Sequence, residues 1–147
     1  PLPCRPLLGY IGLPGQLPEP VHAASGPIAP GSAAAARGGF PSVVCMPNTS
    51  PAIDSPSTVA LIQDKAAREA VINVYLTGAI TLGIAGEELA PIGSLKQAGV
   101  VAITDDGHCV QNHDLMRRAL EYAKVFYPPV MAHCTDYPLA TDGVTRV

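Results

Sequence analysis

The sequence predicts an α/β fold, a partial (β/α)8 barrel of the TIM type made of about strands 2 to 5, with parallel strands joined by helical crossovers. Three observations predict it. Short apolar runs begin near residues 43, 71, 100 and 130, so that successive starts lie 28, 29 and 30 residues apart. Between them stand stretches with apolar residues at three- and four-residue spacing, the mark of an amphipathic helix. Polar residues able to bind a metal or a carboxylate follow three of the four runs, at the end where a barrel gathers its chemistry. A unit of this length, repeated eight times, gives about 240 residues, the size of a complete barrel. A doubly wound sheet would share the alternation, but no glycine-rich phosphate turn follows any of the strands.

Residues 1–31 form an irregular, proline-rich segment, a degenerate first-strand region, and residues 32–147 form the partial barrel domain. Eight of the 16 prolines fall within residues 1 to 30, where they deny the backbone helix continuity and ladder donors. Ala33 to Arg37 favours a helix, stopped by Gly38-Gly39. Val43 to Met46 reads as a buried strand closed by Pro47-Asn48. Ser55 then stands as N-cap with Pro56 at the first helical position, and Val59, Ile62, Ala66 and Ala70 give that helix one apolar face. A strand follows at Val71 to Leu76, a short helix at Glu87 to Gln97 ending at Gly99, and a strand at Val100 to Thr104. Asn112 caps a helix whose Leu115, Ala119, Tyr122 and Phe126 share a face, and Val130 to His133 forms the last strand.

Composition narrows the function. A formal charge of −3 with only 9 Lys plus Arg provides no basic stripe for a phosphate backbone, which argues against a nucleic-acid partner. The hydrophobic fraction is 48% and the mean hydropathy +0.25, but no apolar run approaches the roughly 18 residues of a membrane helix. Pro1, Pro3 and Pro6 interrupt the N-terminal apolar run, which is not a signal-peptide core. A cytoplasmic protein without membrane partners is the expectation. Cys4, Cys45, Cys109 and Cys134 are too few and too irregularly spaced for a disulfide framework. They are expected as reduced thiols, with Cys45 a small core residue.

Asn48, the pair Asp105-Asp106 and His133 come from the ends of three different strands. Each alone has an ordinary explanation: a turn asparagine, an acidic turn, a hydrogen-bonded histidine. Together they favour a site. Carboxylate oxygen and imidazole nitrogen both bind zinc, and zinc lowers the pKa of bound water toward neutrality, which suggests metal-assisted hydrolysis. His108, Cys109 and His113 crowd the same loop, but none of the paired zinc-finger spacings occurs among them.

The stretch AAARGGFPSVVCMPNTSPAID at residues 34 to 54 resembles the second-strand region of class I dihydroorotases, in the amidohydrolase superfamily, through its Met-Pro-Asn-Thr motif. The similarity continues through TGAITLGIAGEELAPIGSLKQAGVVAITDDG at 77 to 107 and VMAHCTD at 130 to 136, roughly 105 of the 147 residues. The resemblance implies that Asn48 helps hold the substrate carboxylate. It implies that Asp106 and His133 are zinc ligands in a site that holds two zinc ions when intact. Asp106 would replace the carboxylated lysine of related hydantoinases. The implied activity is the reversible cyclisation of N-carbamoyl-aspartate to dihydroorotate in pyrimidine biosynthesis, by a hydrolase acting on cyclic amide C–N bonds. No general acid or base of the family falls on a residue of this chain.

Departures from the pattern accompany the match. Pro14-Gly15-Gln16 resembles the tail of the family's first-strand His-x-His-x-x-Arg stretch, but Leu8, Tyr10 and Gly12 stand where the two histidines and the arginine belong. None of them replaces imidazole at zinc or guanidinium at a carboxylate. Thr135 stands where the family has Glu, and Thr145-Arg146-Val147 replaces an Asn-Glu-Gly-like ending. The expectation is a truncated chain, with frame-shifting or gene decay as its origin, that keeps two zinc ligands and lacks turnover on its own. An open half-barrel is also expected to leave two strand edges unpaired. Two other readings stay open: a non-catalytic subunit that supports aspartate carbamoyltransferase, and an allantoinase- or hydantoinase-type hydrolase, against which Asp106 in place of lysine argues.

Overall fold

The computed structural model describes the backbone of residues 11–12 and residues 28–138 in full. The readings made above for Cys4, Leu8, Tyr10, Pro14-Gly15-Gln16 and Thr145-Arg146-Val147 lie outside the described residues. Five strands run in chain order: β1 (Ile11–Gly12), β2 (Ser42–Cys45), β3 (Asn73–Gly78), β4 (Ala102–Thr104) and β5 (Val130–Met131). Four α-helices alternate with them: α1 (Ile28–Arg37), α2 (Pro56–Glu69), α3 (Ile92–Gln97) and α4 (His113–Phe126). Every neighbouring pair is parallel and the sheet order is β1-β2-β3-β4-β5. A doubly wound sheet reverses its order at a switch point; this order never reverses, as expected of consecutive units of a barrel.

Local chemistry sets several boundaries where the sequence placed them. Ser55 is the N-cap of α2, its hydroxyl accepting from the Thr58 N–H, and Pro56 opens the helix. Asn112 caps α4 by accepting from the Leu115 N–H at 3.1 Å. Gly39, with φ of 86°, turns the chain out of α1 into β2.

Other boundaries differ, each for a physical reason. The first helix begins at Ile28, not Ala33, and takes Pro30 into its first turn, where the N–H that proline lacks would have no helical acceptor. A two-residue strand, β1, occurs within the proline-rich segment and pairs Ile11 with Ser42 and Gly12 with Val43. The second long strand starts two residues later than Val71 because its ladder opens opposite Ser42, with the Asn73 N–H donating to the Pro41 carbonyl at 3.1 Å. The helix expected from Glu87 starts only at Ile92. Its first part is instead held back against the segment that follows β3: Thr81 bridges Leu89, and the Leu82 and Ala90 N–H groups donate to the Glu88 and Ile80 carbonyls.

All four residues of β2 and all three of β4 are buried, the near-continuous burial of parallel strands covered on both faces. The helix-side core joins Cys45, Leu76 and Ile103 of the sheet to Val59 and Ile62 of α2, Ile92 and Leu95 of α3, and Leu115, Ala119 and Ala123 of α4. Each fully buried aliphatic side chain contributes about 1.5–3 kcal/mol relative to exposure. On α4 the helical face is shifted from the one expected: Ala123 is buried while Tyr122 lies at its margin, edge-on to Phe126 with ring centroids 5.3 Å apart. Gly93 of α3 makes room for that pair, since a Cβ there would come within 2.8 Å of the Phe126 ring.

Cys45 behaves as the core residue expected of it. Burial pushes its thiol from the ordinary 9.0 up to about 11. The unfolded chain therefore gives up this proton near pH 9 and the folded chain two units later, so the contribution is whole below pH 9 and lost as pH rises through 11. Denaturant titrations at rising pH should show stability falling by roughly 2–3 kcal/mol more in the native chain than in Cys45→Ala across that window. Equal slopes for the two chains would contradict the assignment.

Candidate functional site

The loops that leave the carboxyl ends of β2, β3, β4 and β5 converge on one rim. Immediately after β2, Met46 and Pro47 are buried and Asn48 is half-buried at the rim. Its side-chain Nδ2 donates to Oδ2 of Asp106 at 3.2 Å. These residues follow strands that are not neighbours, because β3 lies between β2 and β4. Adjacent strands stand about 4.8 Å apart, so the two side chains reach toward each other across the end of β3.

The two aspartates of the pair have different environments. Asp105 is 2% exposed, and its Oδ1 accepts from the Ile80 N–H at 2.8 Å and the Thr81 N–H at 3.1 Å. Its Oδ2 accepts from the Thr81 hydroxyl. Three of the roughly four acceptor sites of its carboxylate are thus used within the protein, which ties Asp105 to the loop after β3. Asp106 is half-buried and faces the rim. Burial thus separates two residues that the sequence alone makes look alike.

β5 ends at Met131, short of the His133 expected to close it; His133 lies two residues beyond the strand and is exposed, on the same rim as Asn48 and Asp106. It lines a cavity of about 90 Å³ together with Asp105, His108, Cys109 and Cys134 and the apolar Ile80 and Val110. The walls are clasped by the Gln111 side chain, whose Nε2 donates to the Thr135 carbonyl at 2.8 Å and whose Oε1 accepts from the Tyr137 N–H at 3.2 Å. Asp106 and His133 are apt zinc donors by chemistry. However, among the described residues no three His, Cys, Asp or Glu side chains gather closely enough to hold an ion. The described residues therefore do not complete a metal centre, either at the rim or among His108, Cys109 and His113. A larger hollow of about 620 Å³ lies at the opposite end of the sheet, around Pro41, Ala70 and Asn73, and among the described residues its lining holds no His, Cys, Asp, Glu or Lys.

Sequence reasoning missed the parts of this rim that come from the β3–α3 loop. Thr81 is fully buried, donates to Asp105 and accepts from the Gly86 N–H at 2.9 Å, yet a threonine after an apolar run carries no signal of its own. Asp54, read only as part of a helix start, accepts from the Gly83 N–H at 2.9 Å and ties the β2–α2 and β3–α3 loops together.

Parallel strands in unbroken sequential order, with polar residues at their carboxyl ends, define part of a (β/α)-barrel, a fold that gathers its chemistry on that rim. A family model described as Dihydro-orotase-like matches residues 5–146, and so extends through the proline-rich segment as well. The chain belongs to the dihydroorotase-like family. It is 48% identical over 141 residues to a dihydroorotase of Syntrophotalea carbinolica, covering 96% of this chain and 33% of that protein. It is 50% identical over 136 residues to a dihydroorotase of Citrifermentans bemidjiense, covering 92% and 32%, and 53% identical over 114 residues to one of Geotalea daltonii, covering 78% and 27%. The chain thus spans about a third of the length of the curated relatives it matches. Among the described residues no helix is long and apolar enough to cross a membrane.

Proposed function

We propose that this chain forms the second to fifth strand units of a dihydroorotase-type cyclic amidohydrolase. The reaction is the zinc-dependent interconversion of dihydroorotate and N-carbamoyl-aspartate, in cytoplasmic pyrimidine biosynthesis. The observation that carries the reading is the contact between Asn48 and Asp106 over the end of β3. It joins the Met-Pro-Asn-Thr loop to the Asp-Asp-Gly loop within the stretch matched by the family.

In this reading the Asn48 amide, half-buried and held by Asp106, is oriented to donate its second N–H to a substrate carboxylate. Asp106 and His133 would hold zinc, which when bound supplies Lewis-acid polarisation and an activated water. Zinc sites use three or four protein ligands, so these two call for further donors from elsewhere, and the isolated chain is not expected to turn over. A second reading is that the chain serves as a non-catalytic subunit beside aspartate carbamoyltransferase. Co-purification with the transferase would support it.

A chimera tests the main reading. Residues 28–138 of this chain replace the corresponding stretch of the Syntrophotalea carbinolica relative, which keeps its own first strand and its own remaining barrel. The expected result is hydrolysis of dihydroorotate, with allantoin and hydantoin left untouched. A folded chimera that prefers either of those two amides, or that acts on none of the three, would refute the proposal.

A further inference from the structure

Asp105 is an acidic residue of this rim for which the proposed chemistry has no use, and it is also the most deeply buried charge-bearing side chain there. Its hydrogen bonds belong to a closed circuit. Oδ1 and Oδ2 hold Ile80 and Thr81 at the start of the β3–α3 loop. Next to them, the Ala79 N–H donates to the Ile53 carbonyl at 2.8 Å, and the Ile53 N–H donates to the Pro47 carbonyl at 3.0 Å. Pro47 precedes Asn48, Asn48 reaches Asp106, and Asp106 is bonded to Asp105. Each link is a backbone group or a buried side chain except the half-buried Asn48–Asp106 contact.

We infer that Asp105 is a positioning residue: by locking the β3–α3 loop onto the end of β4, it sets the separation of Asn48 and Asp106. The charge favours this role over a neutral amide. A carboxylate accepts from two backbone N–H groups and one hydroxyl at once, and such charge-assisted bonds are roughly twice as strong as neutral ones. The Thr81 hydroxyl relays the lock to Gly86, so the loop is fixed at both ends of its first turn. The inference gives Asp105 a function within the site proposed above and rests on that reading only for what the site does, since the circuit itself is structural.

The test reads geometry without substrate. In the nitrogen-15-labelled chain, the side-chain Nδ2H2 resonances of Asn48 report its bond to Asp106, and Asp106→Ala gives their values when the bond is lost. Asp105→Asn and Thr81→Val should move them toward those values and speed amide exchange at Ile80 by at least about tenfold. Thr81→Ser, which keeps the hydroxyl, should leave both readings near native. Ser55→Ala, which removes the α2 cap, serves as a destabilised control and should leave the Asn48 resonances in place. If Asp105→Asn or Thr81→Val loses stability while the Asn48 resonances stay native, Asp105 is merely structural and the inference fails. Should Asp105→Asn not fold, the Thr81→Val and Thr81→Ser pair decides alone. None of these readings depends on whether the chimera hydrolyses dihydroorotate.

Discussion

Asp106→Ala in the chimera should lower kcat/KM for dihydroorotate by at least about a hundredfold, and Asn48→Ala should act mainly through KM. The difference follows from the roles assigned. Removing a carboxylate that holds the metal takes away a ligand of the centre, and even loss of an outer partner to such a ligand typically diminishes activity by about 10–100-fold. Asn48 would instead supply binding energy to a part of the substrate that does not react, and uniform binding of that kind appears in KM. The contact between the two side chains adds a condition: because Asn48 donates to Asp106 at 3.2 Å, their effects should not add. A double variant no worse than Asp106→Ala alone is the expected outcome. Near-native kinetics in Asp106→Ala would remove this residue from the site.

Ile103→Ala should destabilise the chain by about 2–5 kcal/mol, a large share of the roughly 5–15 kcal/mol that holds a typical domain folded. Ile103 is fully buried in the middle of β4, between Gly78 on one side and Val130 on the other. Its side chain belongs to the helix-side core, so truncation leaves a void that the paired strands cannot close. Leu61→Ala is the matching control. Leu61 is 55% exposed on α2, and its loss should register within about 0.5 kcal/mol. Urea unfolding of the two variants measures both, and similar midpoints for them would contradict the placement of β4 at the centre of the core.

The architecture was legible because its determinants are local and repeated. Ser55-Pro56 and Asn112 start helices by capping chemistry that needs no distant partner. The spacing of apolar runs forecast parallel units, and the observed sheet has that order. Boundaries set by distant partners were not legible. Asn73 begins β3 because Ser42 stands opposite it, and Leu89 is drawn from a helix by a bridge to Thr81. Nothing within either segment announces these pairings.

The rim shows the same division. Residue type and position after a strand brought forward Asn48, Asp106 and His133, which in the structure follow the carboxyl ends of β2, β4 and β5. It brings Asn48 and Asp106 into contact, whereas no bond joins His133 to either among the described residues. The separation of Asp105 from Asp106 required knowing which carboxylate meets the Ile80 and Thr81 amides, a fact of tertiary packing. Thr81 and Asp54 act through backbone groups of another loop, and a side chain used in that way looks ordinary in sequence.

Zinc content of the purified 147-residue chain, measured after dialysis against metal-free buffer, weighs most directly on the claim that it contributes two zinc donors to a centre that requires others. Well under one equivalent should remain, because Asp106 and His133 alone make a weak pair. Two equivalents retained per chain would contradict the account.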